Sequence, residues 1–264
     1  MRGGQFARIE VMLGLEGLER LQQSRLVVVG LGAVGSYAVE ALARAGVGHL
    51  RLVDHDTVKV SNLNRQLLAL HSSLDQPKVE LAAARVRDIN PGCQVEALRV
   101  FCHTDTLDEV LAGPPDLVLD AIDSFNPKLE LIGAAVERGL PVLSSMGAAL
   151  RTDPGRIRVG PLTEATHCPL ARRLRKLLRR RGVTTDIPCV YSDEPVNTRF
   201  VRPPEPRDAP EQAFNQGRPR RVLGSLPTLT GIFGLTMAHE ALRLLLGDLW
   251  PHPHPSGMEP PCAP

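Results

Sequence analysis

Aromatic residues, paired cysteines and long apolar runs are all scarce in this sequence. Only 3% of its 264 residues are aromatic, which argues against recognition of nucleic-acid bases by stacking on aromatic rings. The cysteines are odd in number and form no C-x-x-C pair; they are Cys93, Cys102, Cys168, Cys189 and Cys262. We therefore expect no disulfide framework and a reducing, cytoplasmic environment.

The low net charge and the lack of long apolar runs argue against a protein whose whole surface attracts nucleic acid and against a secreted or membrane-spanning protein. The net charge is only +2 at pH 7, so any affinity for nucleic acid must come from a local basic patch. The first residues contain no apolar run of the length that a signal peptide needs. The predicted helix over residues 228–246 is interrupted by His239, Glu240 and Arg243, whereas a membrane span needs about 20 apolar residues. We predict a core or dimer helix and no stable membrane insertion.

A short apolar strand at residues 26–29 leads into a glycine-rich turn, around which the chain is organised. Gly30, Gly32 and Gly35 follow the strand in G-x-G-x-x-G spacing, and residues 36–45 read as a helix. Such glycines permit a tight turn, let backbone amides approach phosphate oxygens and let the helix pack on the strand. The helix N-terminus attracts anions. We predict a nucleotide site here; a glycine turn without a ligand is the alternative.

Polar residues beyond the second predicted strand, 49–53, distinguish between nucleotides. Asp54 is placed to accept hydrogen bonds from a ribose, as in an NAD-binding domain. A second acid, Asp56, follows, and then Arg65 and Lys78. A hydride-transferring enzyme needs neither cation beside its pyrophosphate, whereas ATP needs positive charge to hold its triphosphate and to stabilise the leaving group. We therefore favour ATP.

Alternating strands and helices predict an α/β fold, a Rossmann-like, doubly wound and mostly parallel sheet. We assign residues 5–160 to the nucleotide-binding core, which begins with two helices separated by a glycine. Residues 161–247 form a substrate-specific extension on the same domain, with a mobile loop over 199–222, and residues 250–264 form a disordered tail. Core elements are also predicted over residues 78–90, 95–101, 116–120 and 128–139.

Two acids follow the predicted strand 116–120. In a doubly wound sheet, ligands bind beyond the carboxyl ends of the strands near the topological switch, and Asp120 and Asp123 fall at this edge. Either carboxylate could hold a Mg²⁺ that bridges phosphates, because Mg²⁺ prefers one or two carboxylates together with phosphate oxygens and water. Asp120 could instead accept a backbone N–H and close the turn as an Asx motif.

Residues 169–182 combine an apolar stripe with dense positive charge. Leucines recur at helical spacing and make one apolar face. Cations occupy the other positions; they are Arg172, Arg173, Arg175, Lys176, Arg179, Arg180 and Arg181. Because no acid balances these cations, they repel one another unless a polyanion lies against them, so we predict contact with a phosphate backbone. A solvated basic face is the alternative.

Cys189 admits two interpretations. A thiol that captures an activated carboxylate needs a lowered pKa, which a helix N-terminus or neighbouring cations provide. Cys189 instead precedes a strand-like run and two acids, which raise a thiol pKa. We therefore interpret Cys189 as structural.

The signature D-x-D-x-V-x-x-x-N-x-N-R-Q at residues 54–66, followed by Lys78, resembles the ubiquitin-activating-enzyme-like (ThiF/MoeB/HesA) superfamily, whose members adenylate a carboxylate. The zinc-binding C-x-x-C pairs of its sulfur-transfer members are missing. The D-A-I-D-S run, the basic helix, C-V-Y-S-x-E and the late G-S-x-x-x-x-T-x-x-F-G resemble another branch, the tRNA threonylcarbamoyladenosine dehydratases. The likeness covers about residues 5–247. The departures from it are Glu10 and Val11 in the N-terminal stretch and the proline-rich insertion.

The resemblance implies an ATP- and Mg²⁺-dependent cyclisation of N6-threonylcarbamoyladenosine in the tRNA anticodon loop through an acyl-adenylate. It implies catalytic roles for Arg65 and Lys78, and for Arg8 reaching the partner's ATP in a homodimer. A solvated arginine on the first helix is the alternative for Arg8. Asp123, the second acid of D-x-x-D, would hold Mg²⁺, and the basic helix would hold tRNA. A cysteine desulfurase or sulfur-acceptor system is a further implied partner. The implied ATP-binding residues are Gly30, Gly32, Gly35, Asp54, Asp56, Asn62, Asn64 and Gln66.

Three other functions remain open on the sequence. An adenylyltransferase that activates the C-terminal Gly-Gly of a ubiquitin-like sulfur carrier would share every ATP-binding residue, and this is the principal alternative. An NAD oxidoreductase would not need Arg65 or Lys78. A scaffold without catalytic activity for a desulfurase system would bind protein and release no pyrophosphate.

Overall fold

The computed structural model describes residues 4–203 and 222–251. The helices are α1 (Ala7–Gln23), α2 (Gly35–Ala45), α3 (Lys78–Ile89), α4 (Leu107–Val110), α5 (Phe125–Glu137), α6 (Pro169–Arg180) and α7 (Pro227–Leu246). The strands are β1 (Arg25–Val29), β2 (His49–Val53), β3 (Gln94–Leu98), β4 (Leu117–Asp120), β5 (Val142–Ser145), β6 (Ile157–Pro161), β7 (Pro188–Ser192), β8 (Val201–Arg202) and β9 (Val222–Leu223). As predicted, a glycine divides the first helical segment: Gly14, with φ of 73°, kinks α1.

One sheet of seven strands runs in the order β3-β2-β1-β4-β5-β7-β6. Its neighbours pair parallel except β6, which is antiparallel to β7 at one edge. The chain winds outward from β1 to β3 and then starts the other half at β4, so the topological switch lies between β1 and β4. This is the predicted doubly wound Rossmann-like arrangement, and the carboxyl ends of β1 and β4 mark its ligand-binding edge.

Helices cover both faces of the sheet because its central strands alternate between two apolar cores. Leu26 and Val28 of β1 face a core shared with α2, α3 and α7. Val27 and Val29 face the opposite core, shared with α4, α5 and α6. The predicted division at residue 160 falls within the sheet, since β7 lies between β5 and β6.

Two predicted boundaries were wrong by three residues each. The third strand ends at Leu98 rather than at residue 101, because its partner β2 ends at Val53, which is paired with Leu98. The helix predicted after Pro127 begins earlier, at Phe125. Proline is tolerated there because the first helical turn leaves its N–H groups without intrahelical partners.

The ends of the predicted mobile loop, 199–222, are ordered. Val201 of β8 pairs with Leu223 of β9 in a short antiparallel ribbon, so the prediction was wrong for these ends. Residues 204–221, the rest of that loop, lie outside the described residues, and so do residues 252–264 of the predicted tail.

The segment Pro227–Leu249, which contains α7, is long and apolar enough to cross a membrane by length and composition alone. Of its most apolar window, 61% is buried inside the protein. Phe233 and Met237 are fully buried in the core beside α2. This burial is typical of a core helix, as the interrupted apolar pattern predicts.

Candidate nucleotide-binding and adenylation site

The glycine turn between β1 and α2 packs directly against the turn after β4. Gly30 has φ of +92°, and a Cβ there would lie 2.8 Å from the carbonyl oxygen of Ala121. A Cβ on Gly35 would lie 1.8 Å from the carbonyl oxygen of Gly30. Both positions therefore require glycine. α2 begins directly after this turn, with Val34 at its N-cap, so the positive end of the helix faces the turn. Among the described residues, no side chain caps this N-terminus.

Asp54 connects the glycine turn to the following loop. Its Oδ2 accepts a hydrogen bond from the backbone N–H of Leu31 at 2.7 Å, and its Oδ1 accepts one from the N–H of Asp56 at 2.9 Å. Asp54 is 9% exposed. The carboxylate thus holds the turn in place, and the remaining lone pairs of its oxygens can accept hydroxyl groups.

Lys78 brings a buried cation to the same loop. Lys78 is 4% exposed, and its Nζ lies 3.0 Å from Oδ2 of Asp56. The backbone N–H of Lys78 also donates to the carbonyl oxygen of Asp56 at 3.1 Å. The contacts Leu31–Asp54–Asp56–Lys78 therefore join the start of α3 to the glycine turn. Here the structure brings together residues that are far apart in sequence.

The cluster Asp54, His55 and Asp56 offers three ligand atoms within 4.8 Å of one another. Both oxygens of Asp54 already accept backbone N–H groups. Asp56 is paired with Lys78 and lies 3.1 Å from Nε2 of His55. The negative charge of the cluster is thus largely balanced by protein groups, which disfavours a metal ion there.

Asn62, Asn64, Arg65 and Gln66 lie on the turn after β2. Oδ1 of Asn62 accepts the N–H of Lys59 at 3.1 Å, so Asn62 shapes this turn. Arg65, which is half-buried, donates from Nη1 to the carbonyl of Ser61 at 2.8 Å and to Oδ1 of Asn64 at 2.9 Å. The other guanidinium nitrogens of Arg65 can bind an anion beyond the turn.

Gln66 approaches the glycine turn through its amide nitrogen, and its amide oxygen is an unsatisfied acceptor. A Cβ on Gly32 would lie 3.7 Å from Nε2 of Gln66. Gln66 is 9% exposed, and its Oε1 has no hydrogen-bond partner in the described part of the chain. Because a buried acceptor without a partner is costly, by about 1–3 kcal/mol, this oxygen favours a ligand hydroxyl or amine at the turn.

Asp120 and Asp123 have different environments at the end of β4. Oδ1 of Asp120 accepts the N–H of Ile122 at 3.1 Å, which confirms the Asx motif. Its Oδ2 accepts hydrogen bonds from Lys128 at 2.5 Å and from Ser144 at 2.6 Å, all within the protein interior. Asp123 is exposed and accepts from Ser124 at 3.3 Å. The carboxylate that can reach a ligand is therefore Asp123.

Arg8 is not brought to this site within its own chain. It is exposed near the start of α1. The neighbouring Phe6 packs against Gly46, where a Cβ would lie 3.4 Å from the ring. Gly46 caps the C-terminus of α2, at the edge of the sheet opposite to the glycine turn.

The basic segment divides into structural and exposed cations. Arg173 stacks 3.9 Å from the centroid of Phe125. Nη1 of Arg175 donates to the carbonyls of Leu162 at 2.9 Å and Ala165 at 2.7 Å. The other cations on α6 are exposed; they are Arg172, Lys176, Arg179 and Arg180.

Arg181 corrects the sequence interpretation of this segment. α6 ends at Arg180, so Arg181 lies outside the helix. Its Nη2 is 2.6 Å from Oε1 of Glu130 on α5. The expectation that no acid balances the basic segment was therefore wrong for Arg181, since the acid comes from a helix that is distant in sequence.

Cys189 has the environment expected of a structural cysteine. It is fully buried in β7, and burial, with a smaller contribution from Cys168, raises its pKa to about 12. A neutral, enclosed thiol is a poor nucleophile. Cys93, Cys102 and Cys168 are also free and buried, in agreement with the absence of disulfides among the described residues; Cys262 lies outside them.

Comparisons with known proteins agree with this geometry. A profile described as "ThiF family" matches residues 5–259. A Bacillus subtilis protein named tRNA threonylcarbamoyladenosine dehydratase is 44% identical over 190 residues, which cover 72% of this chain and 75% of that protein.

Solved structures of a protein with the same name are also similar to this chain. The crystal structure of the Escherichia coli tRNA N6-threonylcarbamoyladenosine dehydratase in complex with AMP superposes with a TM-score of 0.80 at 31% identity, covering 92% of this chain and 94% of that one. The structure of the same enzyme in complex with ATP gives a TM-score of 0.79 at 30% identity, covering 92% and 94% of the two chains.

Proposed function

The chain belongs to the ThiF family, and from this premise we propose that it catalyses the ATP-dependent dehydration of N6-threonylcarbamoyladenosine in tRNA. The observation that carries the proposal is the chain of contacts from Leu31 through Asp54 and Asp56 to Lys78. It fixes a buried ammonium beside a glycine turn, where adenylation needs positive charge and hydride transfer does not. The relatives with this activity are similar over most of both chains.

ATP binding is assigned to the glycine turn and the residues around it. The N-terminus of α2, together with Gly30, Gly32 and Gly35, lets phosphate oxygens approach the backbone. Asp54 accepts ribose hydroxyls, and the unsatisfied Oε1 of Gln66 supplies a further acceptor. The remaining residues assigned here are Asp56, Asn62 and Asn64, which position the cations and the turn.

In the first step, the carboxylate of the threonylcarbamoyl group attacks the α-phosphate of ATP. The bond between the α- and β-phosphates breaks, and pyrophosphate leaves with its bonding electrons. Lys78 and Arg65 stabilise the charge that moves onto the pyrophosphate. In a homodimer, Arg8 of one protomer adds to this stabilisation at the partner's site.

Asp123 fits a magnesium site better than Asp120 does. Its carboxylate is exposed beside the glycine turn, whereas the oxygens of Asp120 are engaged by Lys128, Ser144 and the N–H of Ile122. A hard divalent cation prefers such a carboxylate together with phosphate oxygens and water. When bound there, Mg²⁺ neutralises phosphate charge.

In the second step, a nucleophile within the same threonylcarbamoyl group attacks the acyl-adenylate. The ring closes as the acyl C–O bond breaks, AMP leaves with the former carboxylate oxygen, and the nucleophile gives up its proton. Overall the nucleoside loses one water while ATP becomes AMP and pyrophosphate. Because the nucleophile is intramolecular, its effective molarity is high, and no enzyme thiol is needed. The buried, neutral Cys189 agrees with this.

The partners follow from the same assignment. The exposed cations of α6 would hold tRNA phosphates. Homodimerisation is supported by exposed apolar side chains on α1, where Val11, Met12 and Leu15 are 86%, 66% and 60% exposed. A cytoplasmic location and a cysteine desulfurase or sulfur-acceptor partner complete the proposal; co-purification with such a protein tests the latter.

The function is tested with purified protein, ATP·Mg²⁺, and tRNA with or without threonylcarbamoyladenosine. We expect AMP and pyrophosphate release only with the modified tRNA, and mass spectrometry of the digested nucleosides should record the loss of one water. ATP–pyrophosphate exchange that appears only with a Gly-Gly-ended carrier protein would assign the chain to protein activation instead. Absence of both signals would contradict adenylation itself.

A further inference from the structure

A small cavity opens at the N-terminus of α6, outside the contacts of the glycine turn. Its volume is about 170 Å³, and it is lined by His167, Cys168, Pro169, Arg172, Arg175 and Val196. Pockets for drug-sized ligands occupy roughly 300 Å³ or more, so this cavity fits a single small group rather than a nucleotide.

A buried guanidinium lies directly behind two of these lining residues. Arg151 is 2% exposed, and its Nη2 donates to the carbonyl of His167 at 2.8 Å. Its Nε and Nη1 have no hydrogen-bond partner anywhere in residues 4–203 and 222–251. Burial lowers the pKa of Arg151, an effect opposed by Cys168 and Glu194, but a guanidinium remains charged at any physiological pH.

The acid nearest to this charge is already engaged. Glu194 accepts hydrogen bonds from the N–H and the hydroxyl of Thr152 and from the N–H of Asp153. Arg151 therefore combines a buried positive charge with two unsatisfied donors. Arg151 does not itself line the cavity, so an anion there would compensate its positive charge electrostatically, across His167 and Cys168.

The backbone around the cavity is strained. Leu150, which precedes Arg151, has φ of 63°, and His167 in the cavity wall has φ of 51°. Non-glycine residues at positive φ are uncommon and cost about 1–3 kcal/mol each, and they cluster at functional sites. The α6 N-terminus adds about half a positive charge, and its cap, the Sγ of Cys168, is a weak acceptor 3.5 Å from the N–H of Ala171.

The cavity lies on the same edge of the sheet as the nucleotide site. A Cβ on Gly147, just beyond the end of β5, would lie 3.8 Å from Sγ of Cys168. From the cavity, Lys176, Arg179 and Arg180 continue along the exposed side of α6. Arg172, in the wall, makes no ion pair within the described ranges and can turn toward an anion. These cations can contact successive charged groups of a polyanion whose end group is inserted in the cavity.

We propose that the cavity binds one backbone phosphate of the RNA substrate, a proposal that rests on the proposed function and deepens it. The inserted phosphate sits between the α6 N-terminus and Arg172, with the charge of Arg151 behind it. It anchors the RNA so that the nucleotide to be modified extends toward the adenylation site. Binding of one phosphate in the cavity thus adds to the non-specific electrostatic attraction between α6 and the RNA.

Two variants separate the cavity from the diffuse basic face. Val196→Trp fills the cavity without changing any charge, and Arg172→Gln removes one wall cation. Arg25→Gln is the matched control, because Arg25 is exposed at the opposite edge of the sheet. Binding of an anticodon stem-loop transcript to the full chain is measured without ATP over a range of salt concentrations. Thermal unfolding confirms that each variant folds.

We expect both cavity variants to weaken RNA binding by about threefold to tenfold and to lower the slope of log K against log salt by about 1. Arg25→Gln should match the parent. Unchanged RNA binding by Val196→Trp would overturn the proposal and leave α6 a diffuse basic face. Inorganic phosphate at constant ionic strength should compete with RNA for the parent. If phosphate binding depends on the cavity but RNA binding does not, the site belongs to a free anion and the proposal also fails.

These results are independent of catalysis. If the modified tRNA stimulates AMP release but the cavity variants bind RNA like the parent, only the phosphate proposal fails. If RNA seats in the cavity without AMP release in the activity assay, the proposed function fails instead.

Discussion

The Nζ atom of Lys128 lies 2.5 Å from Oδ2 of Asp120, and both side chains are completely buried. Lys128 also donates to Ser144 at 3.3 Å and to the carbonyl of Ser145 at 3.0 Å. Because Oδ1 of Asp120 accepts the N–H of Ile122, this ion pair fixes the turn that carries Asp123. The ends of β4, β5 and α5 are tied together at the ligand-binding edge.

Lys128→Met should lower the free energy of unfolding by about 3–5 kcal/mol, because it leaves the buried carboxylate of Asp120 without its cation. Urea unfolding followed by circular dichroism measures this loss. The control is Arg44→Gln, which breaks a surface pair with Glu40 and should change stability by at most about 1 kcal/mol. Equal losses in the two variants would mean that the buried pair stabilises the fold no more than the surface pair does.

Lys78→Met should lower kcat/KM for AMP release by about 100- to 1000-fold, the range seen when one transition-state donor is removed. The side chain of methionine retains the apolar packing of the buried lysine stem, so the fold should survive. Arg87→Gln, in the last turn of the same helix and exposed, should stay within about twofold of the parent. A Lys78→Met enzyme with full activity would remove this residue from the mechanism.

Gly35→Ala and Gly32→Ala should separate folding from nucleotide binding. A Cβ at position 35 meets the Gly30 carbonyl at 1.8 Å, so Gly35→Ala should destabilise the unliganded protein by about 1–3 kcal/mol or more. At position 32 the nearest atom is 3.7 Å away, so Gly32→Ala should keep the parent's melting temperature. It should still weaken ATP binding, because the methyl group occupies space that a phosphate approaches. Calorimetry measures both effects; intact ATP affinity in Gly32→Ala would contradict this phosphate path.

Cys189→Ala should retain AMP release within about twofold, because the mechanism uses no enzyme thiol. The variant also isolates a pH effect. The pKa of Cys189 rises from 9.0 to about 12 through burial, so between these values the unfolded chain binds fewer protons than the folded one. The stabilisation from the neutral thiol is complete below pH 9.0 and is lost as the pH rises toward 12.

Urea unfolding of the parent and Cys189→Ala at neutral pH and at about pH 11 measures this difference. The parent should lose more stability than the variant at the higher pH. Equal losses would mean that the thiol titrates normally, and a large fall in AMP release would reopen a covalent role for Cys189.

Local patterns were enough to predict most of the sheet and the glycine turn. The β-branched run at residues 26–29 is enough to predict a buried strand, and the glycine spacing after it is enough to predict a tight turn. Asp54 follows the second strand where its end was predicted. The length of β3 could not be predicted this way, because it depends on where its partner β2 ends. Strand ends are set by neighbours that are remote in sequence.

The charged residues of the site were predictable as a set but not in their pairings. The buried partnership of Lys128 with Asp120 was missed, since a lysine in a predicted helix gives no local sign of burial. The same limit applies to Arg181, whose acid lies on α5. Arg151 was also missed, because its isolation is visible only after Leu150, His167 and Glu194 have been brought around it.

The pairing of β8 with β9 has a practical consequence for protein engineering. Because Arg202 lies opposite Val222, the two ends of the connection between β8 and β9 lie next to each other. Closing a longer connection costs little, about 0.6 kcal/mol for each doubling of length. The connection between β8 and β9 is therefore a suitable insertion site for an affinity tag, a fluorophore or a second domain, because an insertion there leaves the sheet unchanged.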